Sequence, residues 1–114
     1  MPTIHLLGPH AAQRIATAYI EEHLSESVPL AQLAGLASLS SYHFCRAFKQ
    51  SFGLPPHRYH TSRRIERAKA LLSKPVFSVT DIGLTLGFSE TSSFTAAFRK
   101  ATGLTPTAYH RSLA

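Results

Sequence analysis

The 114-residue sequence predicts an all-α fold of seven helices, forming two helix-turn-helix subdomains joined by a long linker helix. Three observations lead there. Apolar residues recur with helical spacing along the chain, and neither alternating strand-like runs nor Asn-Gly hairpin signals compete with them. The third observation is an internal repeat. Phe44, Phe48, Lys49, Gly53, Leu54, Pro56, Tyr59 and His60 recur fifty residues later as Phe94, Phe98, Arg99, Gly103, Leu104, Pro106, Tyr109 and His110. Upstream the offset is forty-nine, with Leu33, Ala34, Leu39 and Ser40 answering Ile82, Gly83, Phe88 and Ser89. The second copy therefore has one extra residue at the start of its later helix.

The first helix is expected over residues 11–24, with Ala16, Ile20 and Leu24 on one stripe. In the first copy Leu30, Leu33, Ala34 and Ala37 mark a short helix, and Ser38 and Leu39 the turn. Ser40 is the expected N-cap of a helix reaching about Ser51, where Gly53 stops it. The middle helix spans about residues 56–72, on the stripe Ile65, Ala68 and Leu72. A proline suits its first turn, and Lys74-Pro75 ends it. In the second copy Val79, Ile82, Gly83 and Leu86 mark the short helix, Gly87 frees the backbone for the turn, and Ser89 is expected to cap a helix to about Thr102. A last short helix starts near Pro106. The organisation read from this is an extension over residues 1–10, either a native start or the remnant of a linker, then a first subdomain over 11–55. A linker helix over 56–74 and a second subdomain over 75–114 follow.

A chain this short excludes a large enzyme fold. Met1 to His10 lacks a basic start and a sustained apolar run, and no stretch reads as a membrane span, so a soluble cytoplasmic protein is expected. A single cysteine, Cys45, makes no internal disulfide and no CxxC site. The 12 Lys and Arg outnumber the 6 Asp and Glu, for a net charge of +6. That excess is uneven. Residues 1–40 hold Arg14 against Glu21, Glu22 and Glu26, and every other basic residue lies in 41–114. A concentrated positive field suits a polyanion, because each neutralised phosphate releases counterions.

On a helical projection of residues 41–50, Phe44, Ala47, Phe48 and Ser51 share one side, with Tyr42, Cys45, Arg46 and Lys49 opposite. The second copy places Phe94, Ala97, Phe98 and Ala101 inside and Ser92, Thr95, Ala96 and Arg99 outside, with Thr91 near the exposed start. Burying two phenylalanines per copy contributes roughly 4–6 kcal/mol, which makes them core and not base-stacking platforms. The outward faces are cationic or short-chained. A helix of this width fits the major groove, where arginine donates two hydrogen bonds to guanine, and Arg46 is the leading base reader. Lys49 and Arg99, one turn on, suit phosphate. Arg63, Arg64 and Arg67 on the middle helix fit either a hydrated face, with Glu66 pairing locally, or the DNA backbone.

Together these residues carry a family resemblance. Ile82-Gly83, Gly87-Phe88-Ser89, Phe94, Phe98-Arg99, Gly103-Leu104-Thr105-Pro106 and Tyr109 closely resemble the signature of the AraC/XylS family of bacterial transcription regulators, in its DNA-binding domain. Leu33-Ala34, Phe48-Lys49, Gly53, Pro56 and Tyr59 resemble its first-unit counterpart, and Arg64, Ala68 and Leu71-Leu72 its linker helix, so the likeness covers about residues 11–112. The resemblance implies recognition helices in successive major-groove segments on one face of double-stranded DNA, reading an asymmetric site. It implies base contacts at Tyr42, Cys45 and Arg46 and at Thr91, Ser92, Ser93 and Ala96, with Thr95 nearer the backbone. It implies contact with RNA polymerase in activation, and in many members a fused effector-binding domain for which this chain has no room. Ala96 and Cys45 depart from the long polar residues common at those positions. Alanine meets a thymine methyl without hydrogen bonding, which predicts that the second unit discriminates less than the first.

Other function classes find less support. His57 and His60 lie near one helix face, but no HExxH, paired cysteines or converging carboxylates accompany them, so no metal or cofactor is expected. No Ser, His and Asp arrangement, GxGxxG or Walker loop points to catalysis. Cys45 without a resolving partner makes a poor redox sensor. The main alternative is a protein-interaction module of a larger regulator. A helical RNA binder is disfavoured, since RNA's deep, narrow major groove would not admit these helices.

Overall fold

The computed structural model describes residues 9–113, with side chains from residue 13 onward. Those residues form seven α-helices and no strand: α1 (Pro9–Glu22), α2 (Leu30–Leu36), α3 (Ser41–Phe52), α4 (Pro56–Leu72), α5 (Val79–Thr85), α6 (Thr91–Thr102) and α7 (Pro106–Ser112). The all-α expectation holds. By its contacts the chain divides into two compact units, one of Met1–His23 with Ser27–His60, the other of Leu24–Glu26 with Thr61–Ala114. Helix α4 begins in the first unit and from Thr61 belongs to the second.

In the first unit α1, α2 and α3 enclose Ala16, Ile20, Leu33, Ala34, Ala37, Phe44 and Phe48, all buried. Phe44 and Phe48 pack with ring centroids 5.7 Å apart, and Phe48 meets Tyr59 edge-on at 5.5 Å. Phe52 extends this aromatic row, 4.6 Å from Phe48. Helix α1 starts two residues before the expected Ala11 and ends at Glu22, so Leu24 is not on its stripe. Leu24 is buried, but with the second unit.

The second unit repeats the arrangement around Ile65, Ala68, Leu72, Ile82, Leu86, Phe94 and Phe98. Phe98 meets Tyr109 edge-on at 5.4 Å, the counterpart of Phe48 on Tyr59. Here the aromatic row extends the other way, to Phe88 at 5.3 Å from Phe94. His110 Nδ1 lies 2.7 Å from the carbonyl oxygen of Leu72, tying α7 to the end of α4.

Both turns close with the same pair of hydrogen bonds. The amide of Leu39 donates to Ala34 O at 3.0 Å and that of Ser38 to Gly35 O at 3.1 Å; Phe88 donates to Gly83 O and Gly87 to Leu84 O, each at 3.0 Å. This is a Schellman arrangement, which needs a left-handed residue just past the helix. Ser38 takes φ +58 and Gly87 φ +94. Helices α3 and α6 stop at Gly53 and Gly103, each with φ in the left-handed region, as the repeat predicts.

Capping differs from expectation at one end. Ser40 caps α3, its side chain accepting from the His43 amide at 3.2 Å, but the N-cap position of α6 is Glu90 and not Ser89. The extra residue of the second copy lies before the cap, so Glu90 stands where the fifty-residue offset from Ser40 falls. Its side chain makes no capping hydrogen bond. The projection also reaches too far at the helix ends: Ser51 and Ala101, expected inside, are exposed. Each sits in a last turn beyond the core's reach.

Candidate nucleic-acid interface

The buried phenylalanines at i and i+4 fix which side of α3 and α6 is left for a partner. On α3 this side carries Tyr42, 64% exposed, with Arg46 and Lys49 also exposed. Arg46 Nη1 donates to the Tyr42 hydroxyl at 3.0 Å, and its Cζ lies 5.7 Å from the centre of the Tyr42 ring. One turn apart on the helix, the phenol thus holds the guanidinium along the outer face.

On α6 the same side presents Ser92, Ser93, Ala96 and Arg99, all exposed, with Thr91 and Thr95 half-buried. Thr91 Oγ1 donates to Thr80 Oγ1 at 3.4 Å, linking the start of α6 to α5. Thr91, Ser92, Thr95, Ala96, Arg99 and Lys100 line one shallow, open depression. Arg99 and Lys100 place positive charge in the last turn, where it also complements the helix dipole.

Cys45, projected outward, stands at the edge of the outer face. It is half-buried and lines an apolar cleft of the first unit with Ile20, Val28, Leu33, Pro56 and His57. The residue sits at the border of the helix's buried and exposed sides, and its counterpart Thr95 is equally half-buried. His57 and His60 line the same cleft, yet the described residues contain no group of three His, Cys, Asp or Glu able to hold a metal ion.

Among the linker-helix arginines the structure separates Arg64 from the others. Arg63 and Arg67 are exposed, whereas Arg64 is half-buried, donating from Nε to Leu24 O at 2.7 Å and from Nη2 to Glu26 O at 3.0 Å. Its Cζ lies 5.3 Å from the centre of the Phe88 ring. Burial lowers its pKa, by desolvation. Glu66 pairs with Lys69, at 3.1 Å.

Two exposed positions on these faces escape the sequence reading. His43 is the fifty-residue counterpart of Ser93, and its Nδ1 lies 2.8 Å from Ser40 Oγ. Lys100 follows Arg99 in the depression. The repeat offset pairs His43 with Ser93 in the sequence itself, whereas the amphipathic projection ranks residues and leaves both out.

No described helix is long and apolar enough to cross a membrane. Residues 33–112 match the helix-turn-helix domain family. The chain is 34% identical over 106 residues to the regulatory protein PocR of Salmonella typhimurium, covering 92% of this chain and 35% of that protein. It thus spans about a third of that relative's length. Among solved structures it is similar to an AraC-type DNA-binding-domain transcriptional regulator from Chromobacterium violaceum, at 28% identity and TM-score 0.84, covering 95% of this chain and 96% of that one. It is also similar to the DNA-binding domain of the global transcriptional factor AdpA in complex with a target DNA, at 28% identity and TM-score 0.82, covering 89% and 91%. Two repeated units with paired buried phenylalanines, left-handed turns and exposed basic helix faces agree with these likenesses, and the chain belongs to the AraC-type helix-turn-helix DNA-binding domain family of transcriptional regulators.

Proposed function

We propose that the chain reads an asymmetric site in double-stranded DNA, with α3 and α6 in successive major-groove segments, as the DNA-binding part of a bacterial transcription regulator. The observation that carries this reading is the pair of matched outer faces, each set by two buried phenylalanines and each ending in a basic last turn. Arg46 donates to guanine and Tyr42 flanks it; Cys45, at the border of the face, has room only for a neighbouring edge contact. In the second unit Thr91, Ser92 and Ser93 meet base edges with hydroxyls and Ala96 meets a thymine methyl. Lys49, Thr95 and Arg99 hold phosphates and set register.

In this reading the protein works in the cytoplasm and contacts RNA polymerase to activate transcription, and an effector-binding domain accompanies it in the whole regulator. The relatives' greater length supports that last part. Selection from a random duplex pool at about 0.15 M salt, where nonspecific binding is weak, tests the DNA reading. Wild type is expected to enrich one asymmetric motif, and Arg46→Ala to relax it at one or two positions in one half. Enrichment of no motif would favour a protein-interaction module instead.

A further inference from the structure

We infer that Arg64 is a positioning residue for α6, holding the start of that helix through Phe88, and not a DNA contact. Helix α6 begins without a side-chain cap, whereas α3 has the hydroxyl of Ser40. Besides the long Thr91–Thr80 hydroxyl contact, a row of contacts within the second unit holds its start. The backbone of Leu24–Glu26 accepts both hydrogen bonds of the Arg64 guanidinium, whose Cζ approaches the Phe88 ring to 5.3 Å. Phe88 in turn packs 5.3 Å from Phe94, the first fully buried residue of α6.

The closeness of this packing shows at Gly87. A Cβ there would lie 2.3 Å from the Ser25 oxygen and 2.8 Å from Arg64 Nη2, so the turn touches both the segment and the arginine. Arginine suits the task because its planar fork reaches two carbonyls while its delocalised cation lies against an aromatic ring; an ammonium is a point charge that serves one partner well. Two of its five N–H donors bond carbonyls inside the unit and the group is half-buried against Phe88, which sets Arg64 apart from the exposed Arg63 and Arg67 as a phosphate partner.

The inference rests on the reading of α6 as a DNA-reading helix, and its first test needs no DNA. Amide hydrogen exchange on the full chain compares wild type with Arg64→Lys and Arg64→Met. Exchange at the Phe88 and Phe94 amides, which donate to the Gly83 and Glu90 carbonyls, is expected to speed up by roughly tenfold or more in both variants while the α3 amides keep wild-type rates. Equal acceleration in α3 and α6 would make Arg64 a general stability residue, and unchanged rates in α6 would remove its role; either overturns the inference.

Duplex selection with Arg64→Lys then reads the consequence. Base preferences in the half-site of α6 are expected to blur while those of α3 and the salt slope persist. A salt slope lower by about one with both sets of preferences intact would make Arg64 a phosphate contact and overturn the inference. If wild type itself enriches no motif, the DNA reading fails while the exchange result still decides the role of Arg64.

Discussion

The turns of the two units make the same hydrogen bonds with different residues. Ser38 accepts the left-handed conformation in an exposed turn, at a cost of about 1–2 kcal/mol for a residue with a Cβ. Gly87 has no such latitude, because a Cβ would collide with the Ser25 carbonyl and Arg64. The aromatic rows differ in the same sense: the first unit adds Phe52 at the end of its recognition helix, the second adds Phe88 at the turn. One motif is thus held at two different places. In the second unit the turn itself is packed, and the start of α6 depends on it; in the first, a serine cap does that work.

The largest expected effect breaks this comparison at Gly87. Gly87→Ala should destabilise the second unit by about 2–4 kcal/mol, through both the left-handed φ and the backbone collision, read as the shift in a denaturant midpoint. A change below about 1 kcal/mol would mean that the turn is not packed as described. Next comes DNA reading. Arg46→Ala should lose about 1–3 kcal/mol of discrimination at one or two positions of one half-site, and the half-site read by the second unit should be the less strict in wild type, since Ala96 stands where Arg46 stands in the first. Saturation mutagenesis of the selected site ranks the two halves.

A smaller effect concerns the first unit's core. Gln13 is 1% exposed, and neither of its amide atoms makes a hydrogen bond among the described residues. A buried unpaired amide costs about 1–3 kcal/mol, so Gln13→Leu should raise stability by roughly 1 kcal/mol in thermal or denaturant unfolding. The smallest effect sharpens the turn comparison directly. Ser38→Gly should be neutral or stabilising by under about 1 kcal/mol, the opposite sign to Gly87→Ala, because relief of the left-handed strain outweighs the added chain entropy.

The sequence made the helices legible because their signals are local. Ser40 lies three residues before the amide it caps, Gly53 and Gly103 end helices by their own backbone freedom, and the phenylalanines repeat at i and i+4. The role of Arg64 was not legible, since its partners are carbonyls thirty-eight and forty residues earlier and carbonyls carry no side-chain signature. Ser89 was misread as the cap of α6 because serine scores better there, but the repeat offset, which is geometric, places the helix start one residue later. The half-burial of Cys45 was not legible because a projection has two faces and the helix has a border between them.

The most direct test of the account is the spacing of the two half-sites. With the selected motif in hand, inserting about five base pairs, half a helical turn, between its halves rotates one major-groove segment to the opposite side of the duplex. Two readers carried on one chain are then predicted to engage only one half at a time, with affinity falling to that of a single half-site. Affinity unchanged by the insertion would contradict the claim that α3 and α6 read one face of the duplex together.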